Sequence, residues 1–263
     1  MNQSMPILSR PAGQVAMITL NRPDVANRIQ PEDLEELSRL LSHCERDDDV
    51  HVLVLAANGA YFSAGFDLRA LVAGANGGTL SGPDGDSAFE QFADHLEQTR
   101  LIVIAAINGP VIGGSTDIAL ACDLRFAADT AYMLMPAAKF GLPLYAGALQ
   151  RYVSRLGLNH AKRLVFTAQK VDAHDMLSIG FVTELVAEAA LHSRVLEVAC
   201  AIAAMPSKPL AAMKQVLNAS ALSAGTAKAQ RDALRCAFDG AHVAALVTAT
   251  QAGRRPNAQE LRC

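Results

Sequence analysis

Tryptophan is absent from this chain of 263 residues, and tyrosine occurs only four times. The sequence has no run of lysine or arginine, its formal net charge is −3 at pH 7, and its pI is about 6.2. A nucleic-acid-binding protein usually has a strongly basic surface and aromatic side chains that stack on bases. We therefore expect no nucleic-acid partner.

Cysteine is sparse, and its spacing fits neither disulfides nor a zinc site. The five cysteines are odd in number and include no C-x-x-C pair, which argues against both a disulfide framework and zinc binding. The seven histidines have no metal-ligand spacing either, so we expect no metal. Scattered cysteines fit a reducing cytoplasm best. The cysteines are at positions 44, 122, 200, 236 and 263.

Long apolar runs are also lacking. The longest strongly apolar stretch is "LIVIAAI" at 101–107, far too short to cross a bilayer, and the N-terminal residues include no apolar signal segment. The chain is nevertheless 51% apolar, enough to fill a sizeable core. These features predict a soluble cytoplasmic protein without a membrane partner.

Strand and helix patterns alternate through the first two thirds of the chain. "VAMITLN", "HVLVLAA" and "LIVIAAI" have the apolar character of buried strands, and helical patterns lie between them. The Gly-rich segment at 74–86 predicts a loop, and from about residue 145 the pattern is mostly helical. This order predicts an α/β core followed by a C-terminal helical subdomain. Two of the predicted helices are 31–47 and 87–100, and Ala-rich helices fill the last seventy or so residues.

Two Gly-containing segments carry the chemistry of this sequence. "FSAGFDL" (62–68) follows an apolar strand, and its small residues would let a ligand's carbonyl approach the main chain. "GGSTD" (113–117) begins a predicted helix from Gly113 to Cys122, whose first N–H groups have no partner within the helix. We expect the N–H groups of Phe66 and Gly114 to hold an oxygen that gains negative charge.

The residues at the start of this helix have a second interpretation. Ser115 or Thr116 could cap the helix, and Asp117 could favour the helix dipole rather than take part in chemistry. Each motif is weak when taken alone, because Gly-rich turns before helices are common. Their order along the chain, each after an apolar strand, makes the pair specific.

Taken together, these segments resemble those of the crotonase superfamily, also called the enoyl-CoA hydratase/isomerase family. The resemblance covers nearly the whole chain. Its segments are "LNRPDVANRIQPEDLEEL", "VLVLAANGAYFSAGFDLRAL", "AAINGPVIGGSTDIALACDLRFAAD", "GALQRYVSRLGLNHAKRLVFTAQKVDAHDMLSIGFVTELV", "KPLAAMKQVLNAS" and "GRRPN".

The resemblance implies a spiral of strand-strand-helix (ββα) units over 1–195, with a C-terminal α-helical trimerisation subdomain over 196–263. It also implies a homotrimer or a dimer of trimers. The implied ligand is a coenzyme A thioester, with no prosthetic group. Phe66 and Gly114 would hold its carbonyl oxygen, and Arg28, Ala64 and Leu68 would lie near the coenzyme A end. Arg28 stands where the family usually has alanine.

The resemblance leaves the reaction open. Asp117 matches the first of the two carboxylates of family hydratases, whereas Ala137 occupies the position of the second. Tyr145 falls where several family members carry a reaction-specific residue, and Lys139 is expected to be a surface charge. Hydration or dehydration of an enoyl-CoA is the main expectation. Isomerisation or decarboxylation using Asp117 and Tyr145, or acyl-CoA binding without catalysis, are the alternatives.

Overall fold

The computed structural model describes residues 5–68 and 88–221, together with positions 244, 245, 248, 249 and 252. The loop predicted at 74–86 lies outside the described residues. So does most of the last predicted helix, after position 221. The mixed α/β fold expected from the alternating patterns is confirmed.

A six-stranded sheet forms the centre of the fold, in the order β1-β2-β3-β4-β6-β9. β1 pairs antiparallel with β2, and the other neighbours are parallel. Its strands are β1 (Ile7–Ala12), β2 (Val15–Leu20), β3 (Val52–Ala57), β4 (Ile102–Ile107), β6 (Leu124–Ala128) and β9 (Glu184–Val186). The predicted strands at 15–21, 51–57 and 101–107 correspond to β2, β3 and β4.

A smaller sheet of three short strands lies beside the main one. It contains β5 (Val111–Ile112), β7 (Tyr132–Leu134) and β8 (Val171–Asp172), in the order β5-β7-β8. β5 directly precedes the second Gly-containing segment. This sheet therefore helps to position the beginning of the helix that follows.

The helices begin and end close to the positions that the sequence predicts. α1 has Pro31 at its first position and acidic residues in its first turn, as helix starts favour. Short 3-10 turns, including Ala137–Phe140, connect some elements. The α-helices are α1 (Pro31–Arg46), α2 (Ala88–Gln98), α3 (Gly114–Ala121), α4 (Ala146–Leu156), α5 (Leu158–Thr167), α6 (Ala173–Ser178), α7 (Leu191–Ala203) and α8 (Ser207–Ala221).

Alternate residues of the parallel strands point to opposite faces of the main sheet, and both faces are buried. Leu53 and Leu55 of β3 belong to the larger cluster, which includes residues of α1, α2 and α3. Val52 and Val54 point to the other face, where α7 covers them. Because both faces are covered, these strands read as continuous apolar runs rather than alternating ones.

Helix α7 crosses the predicted domain boundary at 195/196. Its Val195 and Ala199 pack in the same cluster on the main sheet, so this part of the predicted C-terminal subdomain belongs to the core. The division into a core and an oligomerisation subdomain stays a prediction. Among the described residues no single helix is long and apolar enough to span a membrane. The segments Glu188–Ala203 and Ser207–Ala221 reach that length and apolarity only when taken together, and the chain bends by 105° between them.

Candidate functional site

The first Gly-containing segment is held in place by the chain at 26–29. The Ala64 N–H donates to the carbonyl of Ala26 at 2.8 Å, and the Ile29 N–H donates to the carbonyl of Gly65 at 2.8 Å. The Asp67 N–H donates back to the Ile29 carbonyl, so Ile29 and Phe66 form a parallel bridge. These main-chain bonds fix the turn on both sides of Phe66.

Asn27 is a positioning residue that the sequence analysis did not single out. Its side-chain amide donates to the carbonyls of Asn58 and Tyr61, at 2.7 and 2.8 Å, and it is 2% exposed. Its own carbonyl accepts the Ser63 hydroxyl at 2.7 Å. The asparagine thus ties the N-terminal segment to the turn that follows β3.

The two Gly-containing segments are in direct contact. The Ile112 N–H donates to the Ser63 carbonyl at 2.9 Å, and the Ser115 hydroxyl donates to the same carbonyl at 2.9 Å. Gly65 has φ +81°, and a Cβ at this position would lie 2.5 Å from the Ile112 carbonyl oxygen and 3.0 Å from the Gly114 nitrogen. A glycine is therefore required here by both conformation and space.

The second segment begins helix α3 without a side-chain cap. Gly113 is the N-cap residue, with φ 62° and ψ −134°. The prediction that Ser115 or Thr116 caps the helix is wrong. Ser115 instead binds the main chain of Ile112 and Ser63, and the Thr116 hydroxyl lies 2.6 Å from both the Gly113 carbonyl and the Tyr152 hydroxyl.

The structure brings the two predicted N–H donors to neighbouring turns. Within the described ranges, the N–H groups of Phe66 and Gly114 donate to no other main-chain oxygen. The Phe89 ring lies against Gly114, where an added Cβ would meet its Cζ at 2.7 Å. It also packs edge-on against Phe66, with the ring centroids 5.9 Å apart. The aromatic rings of Phe66 and Phe89 therefore line one side of the contact between the two turns.

Asp117 lies in the first turn of α3, as predicted, and its carboxylate is hydrogen-bonded to other side chains of the protein. The guanidinium of Arg151 on α4 donates a hydrogen bond to each carboxylate oxygen, from Nε to Oδ1 at 2.8 Å and from Nη2 to Oδ2 at 2.9 Å. Tyr145, the N-cap residue of α4, donates its hydroxyl to Oδ2. Asp117 is 1% exposed. Sequence reasoning missed Arg151, because nothing in a single sequence shows that α4 packs against α3.

Arg151 is the centre of a larger buried charge network. Its Nη1 also binds Asp94 at 2.7 Å and Glu97 at 3.1 Å, both on α2. Burial alone would lower the pKa of Arg151, but the charge and hydrogen bonds of Asp117 outweigh it, and this pKa is raised. Burial, followed by the charge of Asp117, raises the pKa of the Tyr145 hydroxyl well above its ordinary value. Tyr145 therefore stays protonated in ordinary buffers.

The residues predicted at the coenzyme A end lie in the first Gly-containing segment (Ala64 and Leu68) and in the neighbouring chain at 26–29 (Arg28). Arg28 forms an ion pair with Asp67, with Nε 3.1 Å from Oδ2. Ala64 and Leu68 are half-buried. Their roles in binding stay predictions.

Ala137 and Lys139 occupy the short turn after β7. Ala137 begins the 3-10 helix and packs partly buried against the larger core cluster. Lys139 is exposed, as expected for a surface charge. The turn therefore offers no carboxylate at position 137.

The described residues of this site include neither a cluster of metal ligands nor an activated thiol. The described part of the chain contains no group of three or more His, Cys, Asp or Glu side chains placed to hold a metal ion. Cys122, at the end of α3, is buried, and burial raises its pKa to about 12. A thiol held in this way is a poor nucleophile.

Comparison with known proteins gives the chain its family. The model of the family described as enoyl-CoA hydratase/isomerase matches residues 10–239. A short-chain-enoyl-CoA hydratase of Clostridium acetobutylicum is 32% identical over 212 residues, which cover 78% of this chain and 78% of that protein.

Solved structures agree with this placement. A monofunctional enoyl-CoA isomerase from M. smegmatis is 27% identical, with a TM-score of 0.71, covering 84% of this chain and 96% of that one. A methylmalonyl-CoA decarboxylase covers 98% of both chains with a TM-score of 0.85, but at 22% identity this likeness concerns the fold alone. The family model and the similar relative together show that the chain belongs to the enoyl-CoA hydratase/isomerase family.

Proposed function

We propose that this protein binds an acyl-CoA thioester and stabilises the enolate of its acyl group with the N–H groups of Phe66 and Gly114. One observation carries this proposal, namely the contact between the turn at Gly65 and the first residue of α3. It brings two turns with uncommitted N–H groups together at the positive end of a helix. Arg28, Ala64 and Leu68 would then contact the coenzyme A portion.

The reaction that we propose is hydration of an enoyl-CoA or the reverse dehydration. The relative from Clostridium acetobutylicum is named for this activity, and the family includes it by description. Hydration of a conjugated thioester passes through an enolate, which the two N–H groups would stabilise. Asp117 in the first turn of α3 and Tyr145 at the start of α4 supply an acidic and a hydroxyl group in contact with each other.

The first test follows the ultraviolet absorbance of crotonyl-CoA on mixing with the protein. We expect the absorbance of the conjugated thioester to fall with wild-type protein, and Asp117→Asn to lower the rate on the order of 10²-fold. Asp94→Asn is the matched control, because Asp94 also pairs with Arg151 but is half-exposed and lies outside α3. Loss of equal size in both variants would contradict a specific role for Asp117. Binding of the thioester without any turnover would leave only a non-catalytic acyl-CoA binder.

A second candidate reaction is decarboxylation of a malonyl-type thioester. Both carboxylate oxygens of Asp117 are hydrogen-bonded to Arg151, and position 137 is an alanine. The described site therefore lacks an obvious free carboxylate to act as a base. Loss of carbon dioxide generates the enolate without a base and needs only a proton donor afterwards. Release of carbon dioxide from malonyl-CoA or methylmalonyl-CoA, with no change in crotonyl-CoA, would favour this candidate over hydration.

Position 137 provides a gain-of-function test. We expect Ala137→Glu to raise the hydration rate, by up to about 10²-fold, because it restores a second group for proton transfer. Ala138→Glu is the control, since Ala138 is the exposed next residue of the same turn. Steady-state rates with crotonyl-CoA provide the measurement. If Ala137→Glu folds and binds the thioester but gains no more than Ala138→Glu, position 137 does not face the reacting carbons.

Assembly and location belong to the same proposal. We propose a homotrimer or a dimer of trimers in the cytoplasm. Three apolar side chains on α8 support an assembled state, because Met213, Val216 and Leu217 are 54%, 66% and 71% exposed. Apolar side chains grouped on one side of a helix usually pack against another surface.

A further inference from the structure

The chain at 26–29 runs beside the first Gly-containing segment in an uncommon backbone conformation. Ala26 and Asn27 are consecutive non-glycine residues with positive φ, 54° and 49°. Residues other than glycine rarely adopt this left-handed region, and alanine does so at a cost in energy. Such strain persists only where the surrounding structure holds it in place. The contacts that hold these residues also hold the turn around Phe66.

Arg28 and Asp67 add a side-chain contact to the main-chain bonds between these two segments. Nε of Arg28 lies 3.1 Å from Oδ2 of Asp67. Arg28 directly precedes Ile29, and Asp67 directly follows Phe66, while Ile29 and Phe66 form the parallel bridge. The ion pair therefore spans the same junction as the bridge. It is one residue away from the N–H that is proposed to hold the thioester oxygen.

The two partners of this ion pair differ in exposure. The side chain of Asp67 is 8% exposed, and that of Arg28 is 33% exposed. A buried carboxylate depends on the charges and donors around it far more than a carboxylate in water does. Solvent and salt also screen a partly buried pair less than a surface pair. The contact is therefore suited to holding the turn, while the outer part of the guanidinium stays accessible to a ligand.

We propose that Arg28 and Asp67 are positioning residues for the Phe66 N–H, because their ion pair keeps the turn closed against the strained segment at 26–29. This inference deepens the proposed function and rests on it. Gly65 lies against the nitrogen of Gly114, so a turn that opens at its far end would change the separation of the two N–H donors. A small misplacement of such a donor lowers the rate more than it lowers binding.

This positioning role is additional to the contact with coenzyme A proposed for Arg28, and a truncated substrate separates the two. A pantetheine thioester has the same acyl group and the same thioester, but it lacks the nucleotide and its phosphates. If Arg28 only bound a phosphate, Arg28→Ala would raise KM for the coenzyme A thioester and would leave the pantetheine thioester unaffected. If Arg28 holds the turn, kcat should fall equally with both.

The test compares Arg28→Ala, Asp67→Asn and the double variant with Arg10→Ala. Arg10, on the edge strand β1, is the matched control, because it also pairs with an aspartate, Asp47, at 3.0 Å, and both partners are more exposed. Steady-state kcat and KM are measured with crotonyl and methylmalonyl thioesters of coenzyme A and of pantetheine. Circular dichroism verifies the fold of each variant.

We expect Arg28→Ala and Asp67→Asn each to lower kcat by about 10-fold with either carrier. The double variant should lose little more than one single variant, because both substitutions remove the same interaction. Arg28→Lys should recover most of the lost kcat, since an ammonium group can replace a contact made through one nitrogen. Arg10→Ala should have the kcat of the wild type.

Hydrogen exchange measures the same effect without catalysis. The Ala64 N–H is bonded to the carbonyl of Ala26, and the Asp67 N–H is bonded to the carbonyl of Ile29. Exchange at these two amides should be about 3 to 10 times faster in Arg28→Ala than in the wild type. Strand β4 should exchange as before, because the opening is confined to the turn.

Several outcomes overturn this inference and leave the proposed function intact. They are a loss with Arg28→Ala that appears only with the coenzyme A thioesters, losses that multiply in the double variant, unchanged exchange in the turn, and equal effects of Arg28→Ala and Arg10→Ala. Absence of wild-type turnover with every thioester would overturn the proposed function, and the catalytic role of the ion pair with it. If Arg28→Ala does not fold, Asp67→Asn decides by the same comparison of carriers.

Discussion

Gly65→Ala is expected to lower kcat/KM by about 10² to 10³, the effect of losing one donor that stabilises an oxyanion. The new methyl group would lie 2.5 Å from the Ile112 carbonyl oxygen and 3.0 Å from the Gly114 nitrogen. Both neighbours are main-chain atoms, so no side chain can move aside to make room. The turns at Phe66 and Gly114 would separate, and their N–H groups would no longer converge.

Gly157→Ala is the matched control for this substitution. Gly157 also has a positive φ, +79°, but a Cβ there would meet nothing within 4 Å. With φ 79° and ψ 156°, Gly157 lies in a region almost exclusive to glycine, so the control introduces a backbone strain of about 1 to 3 kcal/mol without a clash. We expect it to lower the melting temperature and to leave kcat/KM unchanged.

The measurement is kcat/KM per folded molecule, with the folded fraction of each variant taken from circular dichroism. A Gly65→Ala protein that is folded and has the same kcat/KM as Gly157→Ala would contradict the proposed oxyanion site. A folded and inactive Gly65→Ala protein would support it, since the substitution changes no side chain that could transfer a proton.

Arg151→Leu is expected to destabilise the protein by about 3 to 5 kcal/mol, the usual cost of removing one partner from a buried ion pair. Asp117 would lose the two bonds of the guanidinium and remain as a buried charge with Tyr145 as its partner. Glu97 would keep Arg155, and Asp94 is half-exposed, so the loss is greatest at Asp117.

Two comparisons separate this effect from a general loss of charge. Arg39→Leu removes an arginine that pairs with Glu36 on the exposed side of α1, and we expect little change from it. Asp117→Leu combined with Arg151→Leu removes both charges and should be more stable than Arg151→Leu alone. Thermal melts are compared at one protein concentration, because the stability of an assembled protein depends on concentration. Equal melting temperatures for Arg151→Leu and Arg39→Leu would contradict the assignment.

Local patterns in the sequence predict much of the fold. The apolar runs of β2, β3 and β4 are strands because both faces of a parallel sheet are buried. The beginning of α1 follows from Pro31 and the acids after it. The edge strand β1 was not predicted, because its mostly exposed sequence "ILSRPA" lacks a clear alternation of apolar and polar residues. The short strand β8 has only two residues, too few to give a pattern.

The residues of the candidate site could likewise be predicted only in part from the sequence. The Gly-containing segments were visible because small residues before a turn or a helix have a local physical meaning. The identities of Asp117 and Tyr145 were visible too, but their mutual contact was not. Ser115 was expected to cap α3, yet it binds Ser63, a residue far away in the chain that only folding brings near.

The sequence alone determined the family, the α/β class and the two turns that would hold a thioester oxygen, because each rests on residues that are neighbours in the chain. Only the tertiary structure decided that Asp117 is held by Arg151 and accepts Tyr145. This arrangement depends on the packing of α3 against α4, and the orientation of a buried charge is set by whichever partners the fold brings within hydrogen-bond distance.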